Sequence, residues 1–201
     1  MRFEKFNDNK EKIEISDNVK TQLENLGLTT DDIKGKILDI GANDGQLAKE
    51  LKGVSDAEVI SIDNRKDEGV SENVMIADAR ELPFENGSFD RVVSHASIPN
   101  VFLGIYSEEF PELSKREIKK SISKTFREML RVLKSGSSAT LAPVRIAKNY
   151  ESERVLSNTL QEEIQKLQEE GIQVTFELIR EEENPNNKEK GSFYRLSILK
   201  K

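Results

Sequence analysis

The sequence predicts an α/β fold, a mostly parallel sheet with helices on both faces, and three observations carry that expectation. Strand-like and helix-like segments alternate along the chain. The strand-like segments are short β-branched or aliphatic runs, as strands covered on both faces require. The stretch KILDIGANDGQLAKEL, residues 36–51, runs a strand through a two-glycine turn into a helix. Only the end of the chain departs from the pattern, where residues 172–200 read as an antiparallel pair.

Each element has a local cause. SDNVKTQLENLGL reads as a helix: Ser16 or Asp17 caps it, Val19, Leu23 and Leu26 share a face, and Gly27 ends it. KILDI (36–40) is the first strand, and Gln46 to Leu51 is the helix after the glycine turn. EVISID (58–63), NVMIADA (73–79), FDRVVSHA (89–96) and SATLAPV (138–144) are the next four strands. A helix from about Ser114 to Lys134 separates the last two. Its residues Ile118, Ile122, Phe126, Met129 and Leu133 recur every three or four positions, which places them on one face. Another helix runs from about Ser152 to Glu170 and stops at Gly171. The chain closes with IQVTFELIR, a polar connector EEENPNNKEKG, and SFYRLSILK.

Composition narrows the chemistry. The chain has 201 residues, enough for one domain with a full core. No apolar run approaches the roughly 20 residues that span a bilayer. The start, MRFEKFNDNKEK, lacks the apolar stretch of a secretory signal, so a cytoplasmic protein with no membrane partner is expected. There is no cysteine, which excludes disulfides, thiolate nucleophiles and cysteine zinc sites. His95 is the single histidine, so no histidine-rich metal cluster can form and no metal is expected. The net charge of −6 argues against broad nucleic-acid binding without excluding it.

The glycine turn itself is selective. A dinucleotide site wants G-x-G-x-x-G, yet counting from Gly41 puts Asn43 at the second glycine and Gln46 at the third. Asp44 would also stand beside the phosphates and repel them. No Gly-Lys-Ser/Thr follows, so a Walker-type loop fails too. Asp39, Gly41 and Gly45 instead form D-x-G-x-x-x-G at the end of the first strand. Acids at this place suit a cationic ligand. Asp63 ends the second strand, 22 residues after Gly41, where an acid can accept two hydrogen bonds from a ribose diol.

In these stretches the chain resembles the class I, Rossmann-like S-adenosylmethionine-dependent methyltransferases, whose first motif reads D/E-x-G-x-G-x-G. VISIDNR matches the acidic residue for the ribose hydroxyls. IADARELPFENGSFDRVVSHA is similar to the third and fourth motifs, and EMLRVLKSGSSATLAPV to an L-R-V-L-K-P-G-G segment. The four matches run in order from Lys36 to Val144. The resemblance implies a three-layer, seven-stranded sheet with a C-terminal antiparallel hairpin, and S-adenosylmethionine as cofactor. It implies cofactor contacts from Asp39, Gly41, Ala42, Asn43, Gly45, Asp63, Asn64, Asp78, Ala79 and Ser94. Asn43 departs from the motif's middle glycine, and Ser135 and Ser137 replace the proline and second glycine. One domain, 1–201, is expected: an N-terminal helical cap (1–30), a cofactor-binding core (34–147), a candidate substrate loop (97–113) and the closing hairpin (172–200).

Methyl transfer is a direct displacement that asks chiefly for alignment and exclusion of water. His95, just after the fourth strand, is the candidate general base, with a hydrogen-bonded wall of the pocket as its plainer role. Phe102 and Tyr106 are candidate substrate-pocket residues, beside Glu108 and Glu109. Arg116, Lys119, Lys120, Lys124, Arg127 and Arg131 crowd one helix face, which reads as a solvated surface before it reads as a phosphate track. A small-molecule acceptor is the expectation. Methylation of protein or RNA is one alternative, and a cofactor-binding module without transferase activity is another. Oligomeric state is not legible.

Overall fold

The computed structural model describes residues 14–65, 71–103, 114–146, 151–183 and 190–201. The strands are β1 (Lys36–Ile40), β2 (Glu58–Asp63), β3 (Val74–Ile76), β4 (Phe89–His95), β5 (Leu133–Ile146), β6 (Gln173–Glu183) and β7 (Lys190–Leu199). They form one sheet in the order β3-β2-β1-β4-β5-β7-β6. The first five are parallel, and β7 runs antiparallel between β5 and β6. The helices are α1 (Asp17–Leu26), α2 (Gln46–Leu51), α3 (Lys115–Val132) and α4 (Glu151–Glu169). None among the described residues is long and apolar enough to cross a membrane.

Period-two alternation sorts the strand residues onto two cores. Ile37 and Val93 face one side, where Val19, Leu23 and Leu26 of α1 and Leu47 and Leu51 of α2 cover them. Leu38, Ile40 and Val92 face the other, under α3 and α4. The apolar stripe of α3 is the anchor: Ile122, Phe126 and Met129 are fully buried, each worth about 1.5–3 kcal/mol over exposure. Ser114 caps this helix reciprocally with Glu117, which contributes about 1 kcal/mol. At α1 Ser16 is the cap, accepting from Val19 N–H, and Gly27 closes the helix at φ 65°.

Several boundaries differ from the sequence reading. The long helix stops at Val132, because the buried Leu133 is already extended and pairs with Phe89 of β4. The fifth strand therefore begins at Leu133 rather than 138, and takes the KSGS stretch in as an irregularity of register. The third strand is shorter than expected, and beyond it Ala77 N–H donates to Asp63 O. The connection 66–70, the substrate-loop residues 104–113 with Tyr106, Glu108 and Glu109, and most of the polar connector (184–189) lie outside the described residues.

Candidate functional site

The carboxyl ends of the parallel strands meet where β1 lies between β2 and β4, the switch point at which open α/β sheets hold ligands. The glycine turn lies flat against the end of β2. Gly41 and Ala42 N–H both donate to Ile62 O, at 2.9 and 3.0 Å. Asn43 N–H donates to Asp63 Oδ2 at 2.9 Å. Asn43 adopts φ 56°, a left-handed conformation that Asn tolerates better than most residues. Gly41 is required more strictly: at φ 75°, a Cβ there would lie 2.1 Å from Ser97 Oγ.

Two cavities adjoin along this turn. One is apolar, about 200 Å³, walled by Ile40, Ile62, Ala77, Ala79, Ile98 and Phe102. The other is polar, about 440 Å³, walled by Asp39, Ala42, Asn43, Asp44, Arg65 and His95, with Asn18 and Gln22 of α1. Gly41, Asp63, Asn64, Ser97 and Val101 line both. The 3-10 turn Asn100–Leu103 roofs the apolar room. It is held by the buried Asn100, whose Nδ2 donates to Pro143 O at 2.8 Å.

Asp63 sits at the seam. Its Oδ1 accepts from the backbone N–H and Nε of Arg65, at 3.0 and 3.2 Å, and Arg65 Nη2 also reaches Asn43 Oδ1. The guanidinium thus bridges the turn and the acid. Asp39 is only 4% exposed, with no ion-pair partner among the described residues. Burial pushes its carboxyl up to about 7, and the neighbouring Asp63 adds to this. Asp44 Oδ1 accepts from Gln46 N–H at 3.2 Å, at the start of α2.

His95 lines the polar room, as a pocket wall would. Its Nε2, however, lies 3.0 Å from Asn25 Nδ2 of α1. Burial, with the positive Arg180 nearby, pulls its pKa down to about 4. A neutral ring with Nε2 engaged at this contact is a poor general base near neutral pH, which favours the plainer role of a hydrogen-bonded wall.

The remaining expected residues divide. Ala79 and Asn64 line the cavities, and Phe102 is both core and wall. Asp78 lines the apolar room, but its carboxylate is taken by Arg80, with Nη2 at 2.7 Å from Oδ2. That contact holds the Asp78 carboxyl below its usual value. Gly45 lines neither cavity; it starts α2 where a Cβ would meet Val74 at 2.8 Å. Ser94 also lines neither, a correction: it is wholly buried, and its Oγ accepts from Ile98 N–H at 3.0 Å to close the turn after β4. On α3, Lys119 pairs with Glu162, Arg127 with Glu170, Lys124 with Glu81 and Arg131 with Glu128, so most of that stripe is matched by carboxylates.

Sequence reasoning gave Arg65 and Asn25 no role, and met Ser97 only as the first residue of the candidate substrate loop. Arg65 has no motif of its own, and Ser97 becomes visible only where it meets Gly41. The i, i+4, i+7 spacing of Asn18, Gln22 and Asn25 was a usable signal, an amide stripe beside the apolar one. The donor set fits S-adenosylmethionine: an apolar room, a seam carboxylate, an acidic room beyond, and a turn where a Cβ at Gly41 would meet Ser97.

The fold is shared with solved structures of low identity. Phosphoethanolamine N-methyltransferase 2 of Haemonchus contortus, in complex with phosphomonomethylethanolamine and S-adenosylhomocysteine, aligns at TM-score 0.54 and 16% identity over 91% of this chain and 52% of that one. The chain thus spans about half the length of the nematode enzyme. YcgJ of Bacillus subtilis aligns at 0.53 and 17% over 89% of this chain and 99% of that one. The cyclase SpnF aligns at 0.53 and 15%, over 91% and 80%. These likenesses establish the fold. No curated protein matches the chain in sequence. The family model described as a methyltransferase domain matches residues 38–141, just over half of the chain and the span from β1 to β5. The chain therefore belongs to the methyltransferase domain family, with the class I, Rossmann-like fold.

Proposed function

We propose that the chain binds S-adenosylmethionine and transfers its methyl group to a small-molecule acceptor. The observation that carries this reading is Asp63, a carboxylate at the end of β2 on the seam between an apolar and an acidic room. In this reading Ile62, Ala79 and Phe102 hold the adenine, Asp63 holds the ribose diol, and Asp39 faces the cationic end. When bound, S-adenosylmethionine supplies a methyl carbon made electrophilic by its sulfonium. The chain's own part is to bind, to orient and to exclude water. The apolar roof of Ile98, Val101 and Phe102 serves the last of these.

The polar room also supports a class of acceptor. Asp39, Asp44 and Asp63 line it, against Arg65 as the cation. A neutral or cationic acceptor suits that balance better than a phosphate-bearing one such as the nematode enzyme binds. Titration with S-adenosylhomocysteine in a calorimeter tests the reading, with binding expected. Absence of heat and of any thermal shift at millimolar ligand would overturn it. Mass spectrometry of molecules released on denaturing the purified protein is the direct route to the acceptor.

A further inference from the structure

Three elements bring Arg180 of β6, Asn25 of α1 and His95 of β4 into a hydrogen-bonded row. Arg180 Nη1 donates to Asn25 Oδ1 at 3.0 Å, and Asn25 Nδ2 lies 3.0 Å from His95 Nε2. A guanidinium has donors only, so its contact decides which way the Asn25 amide faces. The amide NH₂ also only donates. His95 Nε2 must therefore accept, and the neutral ring carries its proton on Nδ1.

The row is held firmly. Asn25 is 8% exposed. Arg195 of β7 donates to the carbonyls of Asn25 and Glu24, at 2.8 and 2.9 Å; the Glu24 carbonyl also accepts from Gly27 N–H, so the guanidinium adds to the closure of α1. Gly27, with no side chain, leaves room for that guanidinium; a Cβ there would lie 2.5 Å from it. Arg180 is kept over the Phe193 ring, 4.5 Å from its centroid, and pairs with Glu182. On the ligand side, His95 shares the polar room with Asp39, Asp44, Asp63 and Arg65. Among the described residues, Asn25 is its one hydrogen-bond partner.

We propose that Arg180 and Asn25 are positioning residues that lock His95 as a neutral hydrogen-bond donor in the polar room, where its Nδ1–H binds an oxygen of the ligand. This rests on the methyltransferase reading only for what occupies the room. The oxygen comes either from the carboxylate of the cofactor's amino-acid end or from the methyl acceptor. In both cases His95 takes no proton, and a nucleophile that arrives as a neutral amine or an already ionised oxygen or sulfur asks none of it.

Because His95 is the chain's single histidine, one imidazole spin system in a long-range proton–nitrogen correlation spectrum reports it without ambiguity. The apoprotein is expected to show Nδ1 protonated and Nε2 bare, unchanged between about pH 8 and about pH 5.5, where a free histidine passes its midpoint. A proton on Nε2, or a midpoint near the ordinary 6.5, overturns the proposal. Asn25→Asp places a carboxylate against Nε2; the proton is expected to move there and the midpoint to rise by at least about one pH unit. An unchanged tautomer in that variant also overturns it. Arg180→Met is the second variant, and removal of the guanidinium is expected to raise the midpoint.

Saturation with S-adenosylhomocysteine separates the two sources of oxygen. A shift of the Nδ1–H signal assigns the oxygen to the cofactor, and an unmoved signal in the saturated protein excludes the cofactor as its source. Calorimetry on the same sample keeps the two readings apart. Failure to bind with the expected tautomer overturns the methyltransferase reading alone, whereas normal binding with the opposite tautomer overturns the positioning of His95 alone.

Discussion

Asn43 N–H donates to Asp63 Oδ2 across 2.9 Å, so the glycine turn and the end of β2 are joined through the carboxylate proposed to hold the ribose. A residue that breaks the family's glycine pattern is thereby built into the site. Its left-handed backbone aims the N–H, and its side-chain oxygen receives Arg65.

Asp63→Ala removes a charged acceptor at the seam. Hydrogen bonds to charged groups are worth about 1.5–3 kcal/mol, so S-adenosylhomocysteine affinity is expected to fall about 10- to 100-fold. Calorimetry checks this, and an unchanged affinity would refute the role.

Arg65→Ala is expected to act in the opposite direction. The guanidinium occupies Asp63 Oδ1 and adds positive charge to a room proposed for a cation. Its removal should tighten S-adenosylmethionine binding by roughly 3- to 10-fold, with a smaller gain for S-adenosylhomocysteine, which lacks the sulfonium charge. Equal or weaker binding of both ligands would show that the arginine supports the site.

Gly41→Ala should destabilise the fold by at least about 2 kcal/mol, because φ 75° is strained for alanine and the new Cβ meets Ser97. Thermal unfolding is expected to move down by roughly 4–8 °C. Adding Ser97→Gly removes the two atoms at 2.1 and 2.3 Å and should restore part of the loss, leaving the backbone cost. A double variant no better than the single one would locate the damage elsewhere.

Asp39 makes stability depend on pH. Its folded pKa, about 7, lies above the ordinary 3.8, so between these values the folded state binds more protons than the unfolded state. Stability from this group is present below about pH 4 and is lost as pH rises through 7. Asp39→Asn, which cannot ionise, should match the parent near pH 4 and exceed it at pH 8 by up to about 4 kcal/mol. Denaturant melts at the two pH values measure the difference. A cationic ligand reverses the sign at the site, so the same variant should bind S-adenosylmethionine less well at pH 8.

Legibility followed the range of the interactions. Helix caps, apolar stripes and strand runs are local, so the sequence alone located α1, β1, α2 and β2 to within a residue. It placed the acids of β1 and β2 at strand ends, which excluded a phosphate loop and pointed to a cationic, ribose-bearing ligand. Boundaries ruled by partners were displaced: Leu133 left the helix because Phe89 offered it a place in the sheet.

The site divides the same way. Asp39, Gly41 and Asp63 were legible because strand, turn and strand end set them by position in the chain. Ser97 against Gly41, Arg65 across Asp63, and Asn25 between Arg180 and His95 were decided only in three dimensions. Arg180 stands 155 residues from Asn25 and acts on His95 from the antiparallel edge of the sheet. The sequence determined that His95 would stand at a strand end in the site. Tertiary packing decided its chemistry, because a proton's place on an imidazole depends on which groups surround it.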